Sequence, residues 1–477
     1  MSARLYCMRP GCLVGIDVGS TRIKAVVVDL EGRELAEGHV ETPWHLVSSG
    51  AEAEPDDIYQ AALAATRSAL NLVPDPGVIG VGVTGIAETL ALLGAHDQTV
   101  APAIAWYDDR GERELAELER QFGADRFAGL TGLPFSRTPS IVKLRWIMRH
   151  VPGAAAARCA LSIPEYVACR LGGARNSELS LASRTGLFDV VGTHWATELI
   201  DWAGVPSSLF PAAIPAGSPL GTVVSPPDGL QRLRGASIAL GGHDHLCAAV
   251  GAGVVTPREV LNSCGTAEAY VRSVPPLGCS DLGAAVKKGL CVGCHVVPGY
   301  QAILGAGPLG LVLGPVYDLL GWDLEAGSGP AGATYDEASD ARTAAPAQLS
   351  DPEELRHREV VLTFRFDEAT GRSSFSGIGP GVRAAQAKLL AADEMLRRSF
   401  ALFEAVEQLG GPVERVVMTG GWARLEHLER RKNERFPGAC VISVREPGAR
   451  GAALSAGWAA GLVPGPEAFP APTAAGS

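Results

Sequence analysis

The sequence lacks an excess of positive charge, and only 19% of its 477 residues are charged, against an average of about 25%. Lysine and arginine total 41 and aspartate and glutamate 52, which gives a formal net charge of −11. Binders of nucleic acids or acidic membranes neutralise phosphates with clustered basic side chains, so this composition argues against both partners. The apolar content of 47% excludes a disordered chain, and the length predicts two or three domains of about 100–200 residues.

No export signal is visible in the given sequence, and we expect neither a membrane-spanning helix nor a disulfide-rich protein. Residues 296–317 contain no charged side chain, but Pro298, Pro308, Pro315 and several glycines argue against a membrane-spanning helix. Ten cysteines amount to about two per hundred residues, far below the density of disulfide-rich proteins. Because no apolar segment of a signal peptide follows the first residues, we expect a cytoplasmic protein with reduced thiols.

Alternating β-prone runs and glycine turns predict an α/β protein that contains one unit twice. The predicted N-terminal elements are three strands, a helix and a fourth strand, at 13–17, 23–30, 34–40, 54–73 and 78–83. In the second half, strand-like runs at 258–263 and 267–274 flank a Cys-Gly-Thr turn. The likeness between Asp17–Thr21 and Ser263–Ala267 suggests an internal duplication, although Gly-Ser/Thr turns are common.

The turn at Asp17–Thr21 is the first candidate site. A tight turn between two strands directs backbone N–H groups and the hydroxyls of Ser20 and Thr21 towards one anion, as phosphate-binding nests do. Asp17, at the end of the first strand, could hold a hydrated Mg²⁺ shared with nucleotide phosphates. On spacing alone, a polar hairpin turn with a capping Asp is an equal alternative.

Asp244 is the second candidate, within Gly241-Gly242-His243-Asp244-His245 after an apolar strand at 236–240. The glycines allow a ligand to approach the backbone closely, and a carboxylate at a strand end can take the proton of a hydroxyl nucleophile. Two alternatives stay open: a hydrogen-bonded structural Asp, and a metal site formed with the flanking histidines.

A cysteine motif, Cys291-Val292-Gly293-Cys294-His295, has the form used for haem attachment, which would require export. Together with Cys279, the residues Cys291, Cys294 and His295 would offer Zn²⁺ four ligands. A second paired motif is missing, so a chance pair of cysteines is the favoured interpretation.

A glycine motif at Gly305–Gly310 has the form G-x-G-x-x-G, with Asp323 and Glu325 at the distance of a ribose-binding acid. Pro308 and Pro315 argue against a dinucleotide-binding turn and helix. An NAD(P)-linked oxidoreductase stays the alternative enzyme hypothesis.

In their order along the chain, these motifs resemble the FGGY family of carbohydrate kinases, which shares its fold with actin and hexokinase. Further marks of the resemblance are Trp106-Tyr107-Asp108-Asp109-Arg110, Lys143–Trp146, Ala182–Thr185, Cys264-Gly265-Thr266, Thr419-Gly420-Gly421 and Glu446 with Gly451–Ala453. The resemblance implies an α/β fold of two lobes, with duplicated ribonuclease-H-like domains and a central cleft. It divides the chain into an N-terminal kinase domain at 11–252 and a C-terminal kinase domain at 257–463. The Pro/Ala/Gly-rich composition of 464–477 predicts a disordered tail.

The resemblance also implies an activity, the ATP- and Mg²⁺-dependent phosphorylation of a hydroxyl on a small sugar or polyol. Asp244 would be the general base, and Asp17 would hold Mg²⁺ through water. Residues implied to bind the nucleotide and its phosphates are Gly19, Ser20, Thr21, Lys24, Gly265, Thr266, Gly420, Gly421 and Glu446. Residues implied to bind the substrate are Glu88, Thr89, Trp106, Asp108 and His245. The expected partner is the sugar or polyol, with a homodimer left open.

The sequence departs from the family in the segment Ile86-Ala87-Glu88-Thr89. Xylulose kinases usually show Gln-Met-His there and glycerol kinases Arg-Glu-Thr. This chain has the Glu-Thr half without the Arg, so it matches neither pattern well. Elsewhere, we expect an exposed connection at 324–352 and a solvated helix face at 429–435.

A sugar or nucleotide sensor that has lost catalysis is a third hypothesis, which the presence of both Asp17 and Asp244 argues against.

Overall fold

Strands and helices alternate along the chain, as the sequence predicts for an α/β protein. The computed structural model describes residues 11–74, 77–321, 362–367, 370–378 and 382–472. The strands are β1 (Cys12–Val18), β2 (Arg22–Val28), β3 (Glu34–Glu41), β4 (His45–Val47), β5 (Gly50–Ala53), β6 (Val78–Gly85), β7 (Leu90–Leu93), β8 (Thr99–Ala101), β9 (Ala103–Ile104), β10 (Cys159–Ser162), β11 (Ser177–Glu178), β12 (Phe188–Asp189), β13 (His194–Trp195), β14 (Ala213–Ile214), β15 (Gly221–Thr222), β16 (Ser237–His243), β17 (Glu259–Cys264), β18 (Glu268–Val274), β19 (Leu290–Cys294), β20 (Gln301–Gly307), β21 (Thr363–Asp367), β22 (Arg372–Ser376), β23 (Arg415–Thr419) and β24 (Cys440–Val441). The helices are α1 (Pro55–Asn71), α2 (Glu112–Phe122), α3 (Ala124–Thr131), α4 (Ser140–His150), α5 (Ile163–Arg170), α6 (Leu179–Arg184), α7 (Thr197–Ala203), α8 (Asp244–Gly251), α9 (Cys279–Lys287), α10 (Leu309–Leu320), α11 (Ala384–Gly410), α12 (Glu426–Arg435) and α13 (Pro447–Ala459).

The chain forms two units, and each is built from separate segments of the sequence. Described residues of the first unit lie at 11–257, Arg272–Ile303 and Val444–Pro472, and those of the second at Arg258–Val271 and within Leu304–Ser443. This grouping differs from a division at 252–257, because two later segments pack with the N-terminal residues. The sequence indicates the order of the strands, but it does not show that residues 272–303 and 444–472 pack with the N-terminal part of the chain.

A six-stranded sheet with the order β15–β16–β6–β1–β2–β3 forms the centre of the first unit. The strand β1 pairs antiparallel with β2 and parallel with β6, and β6 pairs parallel with β16. Apolar side chains of the central strands, among them Val14, Ile16, Val81 and Val83, are fully buried. The predicted meander, helix and fourth strand are confirmed to within a few residues of their ends.

The second unit repeats the central pairing of the first. There β17 pairs antiparallel with β18 and parallel with β23, and β23 pairs parallel with β24. The turn between β17 and β18 therefore corresponds to the turn between β1 and β2. This repetition confirms the duplication that the two turn sequences suggest.

Helix α13 packs closely against the sheet of the first unit. A Cβ atom added at Gly15 of β1 would lie 1.7 Å from the carbonyl oxygen of Ala449, and one at Gly82 of β6 would lie 1.8 Å from that of Ala452. Real side chains do not tolerate such distances, so these two strand positions require glycine for the helix to approach.

Several sequence-based expectations differ from the structure or lie outside it. The run 429–435 is not wholly a solvated face, because the side chain of Lys432 is fully buried. In the expected tail, Pro466–Ala468 form a 3₁₀ turn and Phe469 is only 9% exposed. The connection at 324–352 and residues 473–477 lie outside the described residues. Within the described ranges, no helix combines the length and apolar character needed to cross a membrane.

Candidate functional site

Two tryptophans hold the turn between β1 and β2. Trp106 Nε1 donates a hydrogen bond to Ser20 Oγ at 2.7 Å, and Trp44 Nε1 donates to the Ser20 carbonyl oxygen at 2.7 Å. Thr42 Oγ1 donates to the carbonyl of Gly19, while Thr21 is exposed. A predicted sugar-binding residue, Trp106, thus contacts a predicted phosphate-binding residue, Ser20, directly.

Lys24 and Glu446, both predicted to bind the nucleotide, form an ion pair with each other. Lys24 Nζ lies 2.6 Å from Glu446 Oε2. Burial lowers the pKa of Lys24, but the charges of Glu446 and Asp17 outweigh burial and raise it overall. Burial raises the pKa of Glu446. The pair connects β2 to the residue that precedes α13.

Asp17 is a partly buried carboxylate at the end of β1, in the same unit as Asp244. Burial raises the pKa of Asp17 to about 7, and repulsion by the charge of Asp244 acts in the same direction. A Cβ added at Gly448 would lie 2.5 Å from Asp17 Oδ2, so the first turn of α13 lies against this carboxyl group. A negative charge is favourable at a helix N-terminus.

The surroundings of Asp17 fit a hydrated magnesium ion. Among the described residues, Asp17 Oδ1 is a buried oxygen without a hydrogen-bond partner. The same described part of the chain contains no group of three or more His, Cys, Asp or Glu side chains suited to a metal ion. Mg²⁺ is commonly held by one or two carboxylates, with water and substrate phosphates as its other ligands, so a single unpartnered carboxylate oxygen suffices.

Asp244 begins helix α8 directly after β16 ends at His243. The backbone N–H of His245 donates to Asp244 Oδ1 at 2.7 Å, and His243 Nε2 lies 3.1 Å from the same oxygen. Burial raises the pKa of Asp244 and holds that of His243 well below its usual value, so the His243 ring is neutral. Among the described residues, Asp244 and the two histidines do not form a group suited to a metal ion.

Glu88, predicted to bind substrate, is paired with an arginine to which the sequence analysis assigned no role. Arg184 at the end of α6 donates to Glu88 Oε1 from Nε at 2.7 Å and from Nη2 at 2.5 Å. The charges of Glu88 and Arg184 both act on Asp244. The Ala182–Thr185 motif marks this position in the sequence, but only the fold shows that its arginine meets Glu88.

Asp108 and Thr89 occupy enclosed positions. Asp108 is 1% exposed, and its carboxylate accepts hydrogen bonds from Arg110 Nε at 2.8 Å, Arg110 Nη2 at 2.9 Å and the N–H of Ala51 at 3.0 Å. Burial raises the pKa of Asp108, but the bonds from Arg110 outweigh burial and lower it. This arrangement favours a role in holding Arg110 over direct contact with a substrate. The Thr89 hydroxyl is buried and has no partner among the described residues.

Lys143 contacts the backbone of Trp106. Like Arg184, it is a residue to which the sequence analysis assigned no role. Its ammonium group donates to the carbonyl oxygens of Trp106 at 2.8 Å and Arg137 at 2.6 Å. Burial lowers the pKa of Lys143 to about 8. Lys143 therefore fixes the backbone that carries the Trp106 indole.

The carboxyl groups of two buried glutamates, Glu165 and Glu178, lie at the start of helix α6. Glu165 Oε1 accepts a hydrogen bond from the N–H of Glu178 at 2.7 Å, and Glu178 Oε2 accepts from the N–H groups of Ser180 and Leu181, the second and third residues of α6. Burial raises the pKa of each glutamate to about 7. Both carboxyl groups therefore bind a proton at a pH where an unfolded chain releases it.

We expect Glu178→Gln to stabilise the protein progressively, relative to the unsubstituted chain, as pH rises. The folded protein binds more protons than the unfolded chain between the ordinary glutamate pKa of 4.5 and about 7, so the contribution of Glu178 to stability falls across that window. Gln mimics the protonated form at every pH. Between pH 5 and pH 7.5 the gain should be about 1–3 kcal/mol in urea unfolding experiments. Titratable groups that interact with Glu178 are Glu165, Cys247 and Cys294.

Glu198→Gln, on an exposed side of α7, is the control for this pH series. Its side chain is 42% exposed, so the variant should follow the unsubstituted protein at both pH values. Equal stability differences at pH 5 and pH 7.5 for Glu178→Gln would contradict the expected titration.

In the second unit, the predicted nucleotide turns lie next to each other. A Cβ added at Gly420 would lie 2.4 Å from the carbonyl oxygen of Cys264, and one at Gly310 would lie 2.4 Å from that of Gly265. The N–H of Leu311 donates to Thr266 O at 2.8 Å. The Gly305–Gly310 motif thus ends β20 and leads into α10 beside the Gly265–Thr266 turn. Gly421 begins a 3₁₀ turn after β23.

A buried ion pair supports the Cys264–Thr266 turn. Lys432 of α12 is fully buried and donates to Asn262 Oδ1 at 2.6 Å, to Cys264 Sγ at 3.2 Å and to the carboxylate of Glu268. Glu268 also accepts from Ser399 Oγ at 2.8 Å. The two strands that flank the turn are therefore tied to one ammonium group.

The cysteine motif does not form a metal site in the structure. Cys279, Cys291, Cys294 and His295 are absent from any cluster of three or more metal-ligating side chains in the described part of the chain. Cys291 instead lies beside Arg184, and burial raises the pKa of the Cys294 thiol to about 12.

Comparisons with known proteins identify the family of the chain. The model of the FGGY family of carbohydrate kinases, N-terminal domain, matches residues 12–251, just over half of the chain. A glycerol kinase of Acidovorax ebreus (strain TPSY) is 32% identical over 267 residues, which cover 53% of this chain and 52% of that enzyme. A xylulose kinase of Streptomyces rubiginosus is 30% identical over 270 residues, 55% of each chain. The matched region spans about half the length of these curated relatives.

Solved structures share the fold over nearly the whole chain. A ligand-bound xylulose kinase from Lactobacillus acidophilus has a TM-score of 0.79 at 18% identity. The alignment covers 98% of this chain and 93% of that enzyme. The glycerol kinase of Plasmodium falciparum with ADP has a TM-score of 0.78 at 15% identity. The alignment covers 95% of this chain and 90% of that enzyme. At these identities the likeness concerns the fold alone, and it confirms the predicted α/β architecture of actin type.

Proposed function

The chain belongs to the FGGY family of carbohydrate kinases, and we propose that it transfers the γ-phosphoryl group of ATP to a hydroxyl of a small sugar or polyol. The observation that carries this proposal is the juxtaposition, in one unit, of a base candidate, a metal candidate and a charged substrate candidate. Asp17 of β1 pairs with Thr84 of the neighbouring strand β6, and His243, the residue before Asp244, pairs with Gly85 of the same strand. Glu88 follows β6 in the chain and is held by Arg184. Phosphoryl transfer depends on this kind of positioning more than on covalent catalysis.

Asp244 takes the proton of the acceptor hydroxyl. Both close contacts of its carboxylate go to Oδ1, and Oδ2 accepts no hydrogen bond from the described residues. As the proton moves to Asp244 Oδ2, the acceptor oxygen bonds to the γ-phosphorus and the bond between that phosphorus and the ADP oxygen breaks. Asp244 returns to the carboxylate when it releases the proton to solvent.

Asp17 would hold Mg²⁺ through water at the end of β1. When bound, the ion neutralises negative charge on the phosphate oxygens. The chain itself contributes the unpartnered Asp17 Oδ1 and the first turn of α13, which encloses the carboxyl group.

On the first unit, we assign the nucleotide phosphates to the backbone and hydroxyls of Gly19–Thr21 and to Lys24, whose ammonium group Glu446 orients. On the second unit, the adjacent turns at Gly265–Thr266 and Gly420–Gly421 take the same role. Backbone N–H groups in such turns bind anions without a side-chain charge.

For the acceptor, we assign Glu88 and Trp106, together with His245 and Thr89. Glu88 is oriented through Oε1 by Arg184, which leaves Oε2 to accept from a hydroxyl. The Trp106 indole is 37% exposed while its N–H is held by Ser20, so its face is available to the C–H surface of a sugar.

Coupled measurement of ADP release tests the proposed reaction. Purified protein with ATP and Mg²⁺ is screened against polyols, ketoses, aldoses and sugar acids, with glycerol, D-xylulose and D-gluconate included because similar proteins carry those names. We expect at least one acceptor to raise ADP release well above the acceptor-free rate. Ligand binding without ADP release across the panel would favour the sensor hypothesis, and binding of NADH or NADPH would favour the oxidoreductase hypothesis.

A further inference from the structure

The backbone that carries Asp244 is irregular immediately before this residue. The parallel pairing of β16 with β6 shifts register between Leu240 and Gly242, and Gly242 has a φ of +83°. A regular ladder would fix these peptide groups through backbone hydrogen bonds, and a bulge interrupts that pattern. Other groups must therefore hold the peptide that precedes the base.

Two buried hydroxyl groups hold the peptide bond between Gly242 and His243 from both sides. Thr84 Oγ1, near the end of β6, donates to the Gly242 carbonyl oxygen at 2.6 Å. The N–H of His243 donates to Ser180 Oγ at 2.9 Å. Thr84 and Ser180 are both fully buried, so solvent does not replace either bond.

Glu178 in turn fixes the orientation of the Ser180 hydroxyl. Ser180 Oγ donates to Glu178 Oε2 at 2.5 Å, which directs its lone pairs towards the His243 N–H. A Cβ added at Gly242 would lie 2.5 Å from Ser180 Oγ and 2.7 Å from Glu178 Oε2, so the backbone passes directly over this pair. The contact requires glycine at position 242.

We propose that Thr84 and Ser180 are positioning residues for phosphoryl transfer: they clamp the Gly242–His243 peptide and thereby set the direction of the Asp244 carboxylate. The proposal rests on the proposed function, in which Asp244 is the base. Neither hydroxyl touches the substrate in this role. A small displacement of a catalytic group is enough to cost about 100-fold in rate, so the clamp acts on kcat more than on binding.

Paired substitutions of Thr84 test the clamp. Thr84→Val removes the hydroxyl with little change in shape, and Thr84→Ser keeps it. We expect Thr84→Val and Ser180→Ala to lower kcat about 10- to 100-fold with KM values for ATP and the best acceptor of the screen within about threefold, whereas Thr84→Ser retains kcat within about threefold. Hydrogen exchange measured by mass spectrometry should accelerate in a peptide covering residues 241–247 in both low-activity variants, with or without an acceptor.

Thr66→Val is the matched control. Thr66 is another fully buried threonine, whose Oγ1 donates to the carbonyl of Ala62 at 2.8 Å within α1. This variant should lose stability comparable to Thr84→Val and leave both kcat and exchange at 241–247 unchanged.

Asp244→Asn separates failure of the clamp from failure of the proposed function. An active Asp244→Asn variant overturns the base assignment itself. If Asp244→Asn is inactive while Thr84→Val and Ser180→Ala keep normal kcat and normal exchange at 241–247, the clamp is wrong. The clamp is also wrong if Thr66→Val lowers kcat as much as Thr84→Val, or if Thr84→Ser is as impaired as Thr84→Val. In the Asp244→Asn background, adding Ser180→Ala should cause no further loss of the residual rate.

Discussion

Asp244→Asn should lower kcat on the best acceptor by about 1,000-fold while leaving nucleotide binding within a few-fold. The amide has nearly the shape of the carboxylate and keeps an oxygen for the N–H of His245, which bonds to Oδ1 at 2.7 Å. It has no basic site for the acceptor proton, so the loss should fall on kcat. Coupled ADP release measures the rate, and calorimetry with ADP measures nucleotide binding.

Asp125→Asn is the control for the same change of charge. The Asp125 side chain is 81% exposed and pairs with Lys287 on the surface, so kcat should be unchanged. Near-normal turnover by Asp244→Asn, with the fold intact by circular dichroism, would show that another group accepts the proton.

Lys432→Met should lower the free energy of unfolding by about 3–5 kcal/mol. The substitution keeps the length and apolar stem of the side chain, but it leaves the buried Glu268 carboxylate without its cation. Asn262 and Cys264 also lose a donor, at 2.6 Å and 3.2 Å. Removing one partner of a buried ion pair costs much more than replacing the whole pair, because an uncompensated charge stays behind. Urea titration measures the loss.

Two variants define the contribution of the charge. Lys287→Met removes a cation that is 67% exposed and should change stability by less than about 1 kcal/mol. Lys432→Met combined with Glu268→Gln should recover part of the loss, since the buried charge is removed as well. If Lys432→Met is as stable as Lys287→Met, the ion pair beneath the Cys264–Thr266 turn contributes nothing to the fold.

Local patterns were sufficient to predict the central strands of both units. The runs that became β1, β2 and β3 are separated by short polar turns, and the alternation of β-prone residues with glycine depends only on neighbours along the chain. The duplicated turns at Asp17–Thr21 and Ser263–Ala267 were recognisable for the same reason. The packing of Gly15 and Gly82 against α13 was not, because it joins residues more than 350 positions apart and glycine in a strand has several other causes.

The candidate site was predictable in its carboxylates and less so in the groups that orient them. Asp17 and Asp244 stand beside glycine turns that identify strand ends, so their placement followed from local sequence. Arg184, by contrast, meets Glu88 only after α6 has folded onto the first unit. The bond between Trp106 and Ser20 likewise joins two motifs that the sequence shows separately.

The expectation of a solvated face at residues 429–435 fails at one position, for a physical reason. Six of these seven residues are charged, and such a run is usually solvated because each buried charge loses its hydration. Lys432 is the exception, since Glu268 and Asn262 replace the water around its ammonium group. Neither partner is close to Lys432 in the sequence, so no local rule reveals it.

The distance along the chain between β1 and α13 has a consequence for synthesis. The polypeptide leaves the ribosome from its N-terminus, so β1 and β6 emerge hundreds of residues before the helix that covers their glycines. Until residues 447–459 emerge, that surface of the nascent sheet has no native cover, and folding of the first unit cannot finish during translation of its own N-terminal half. Its last packing step therefore follows synthesis of the second unit, and until then the apolar sheet is exposed to chaperones.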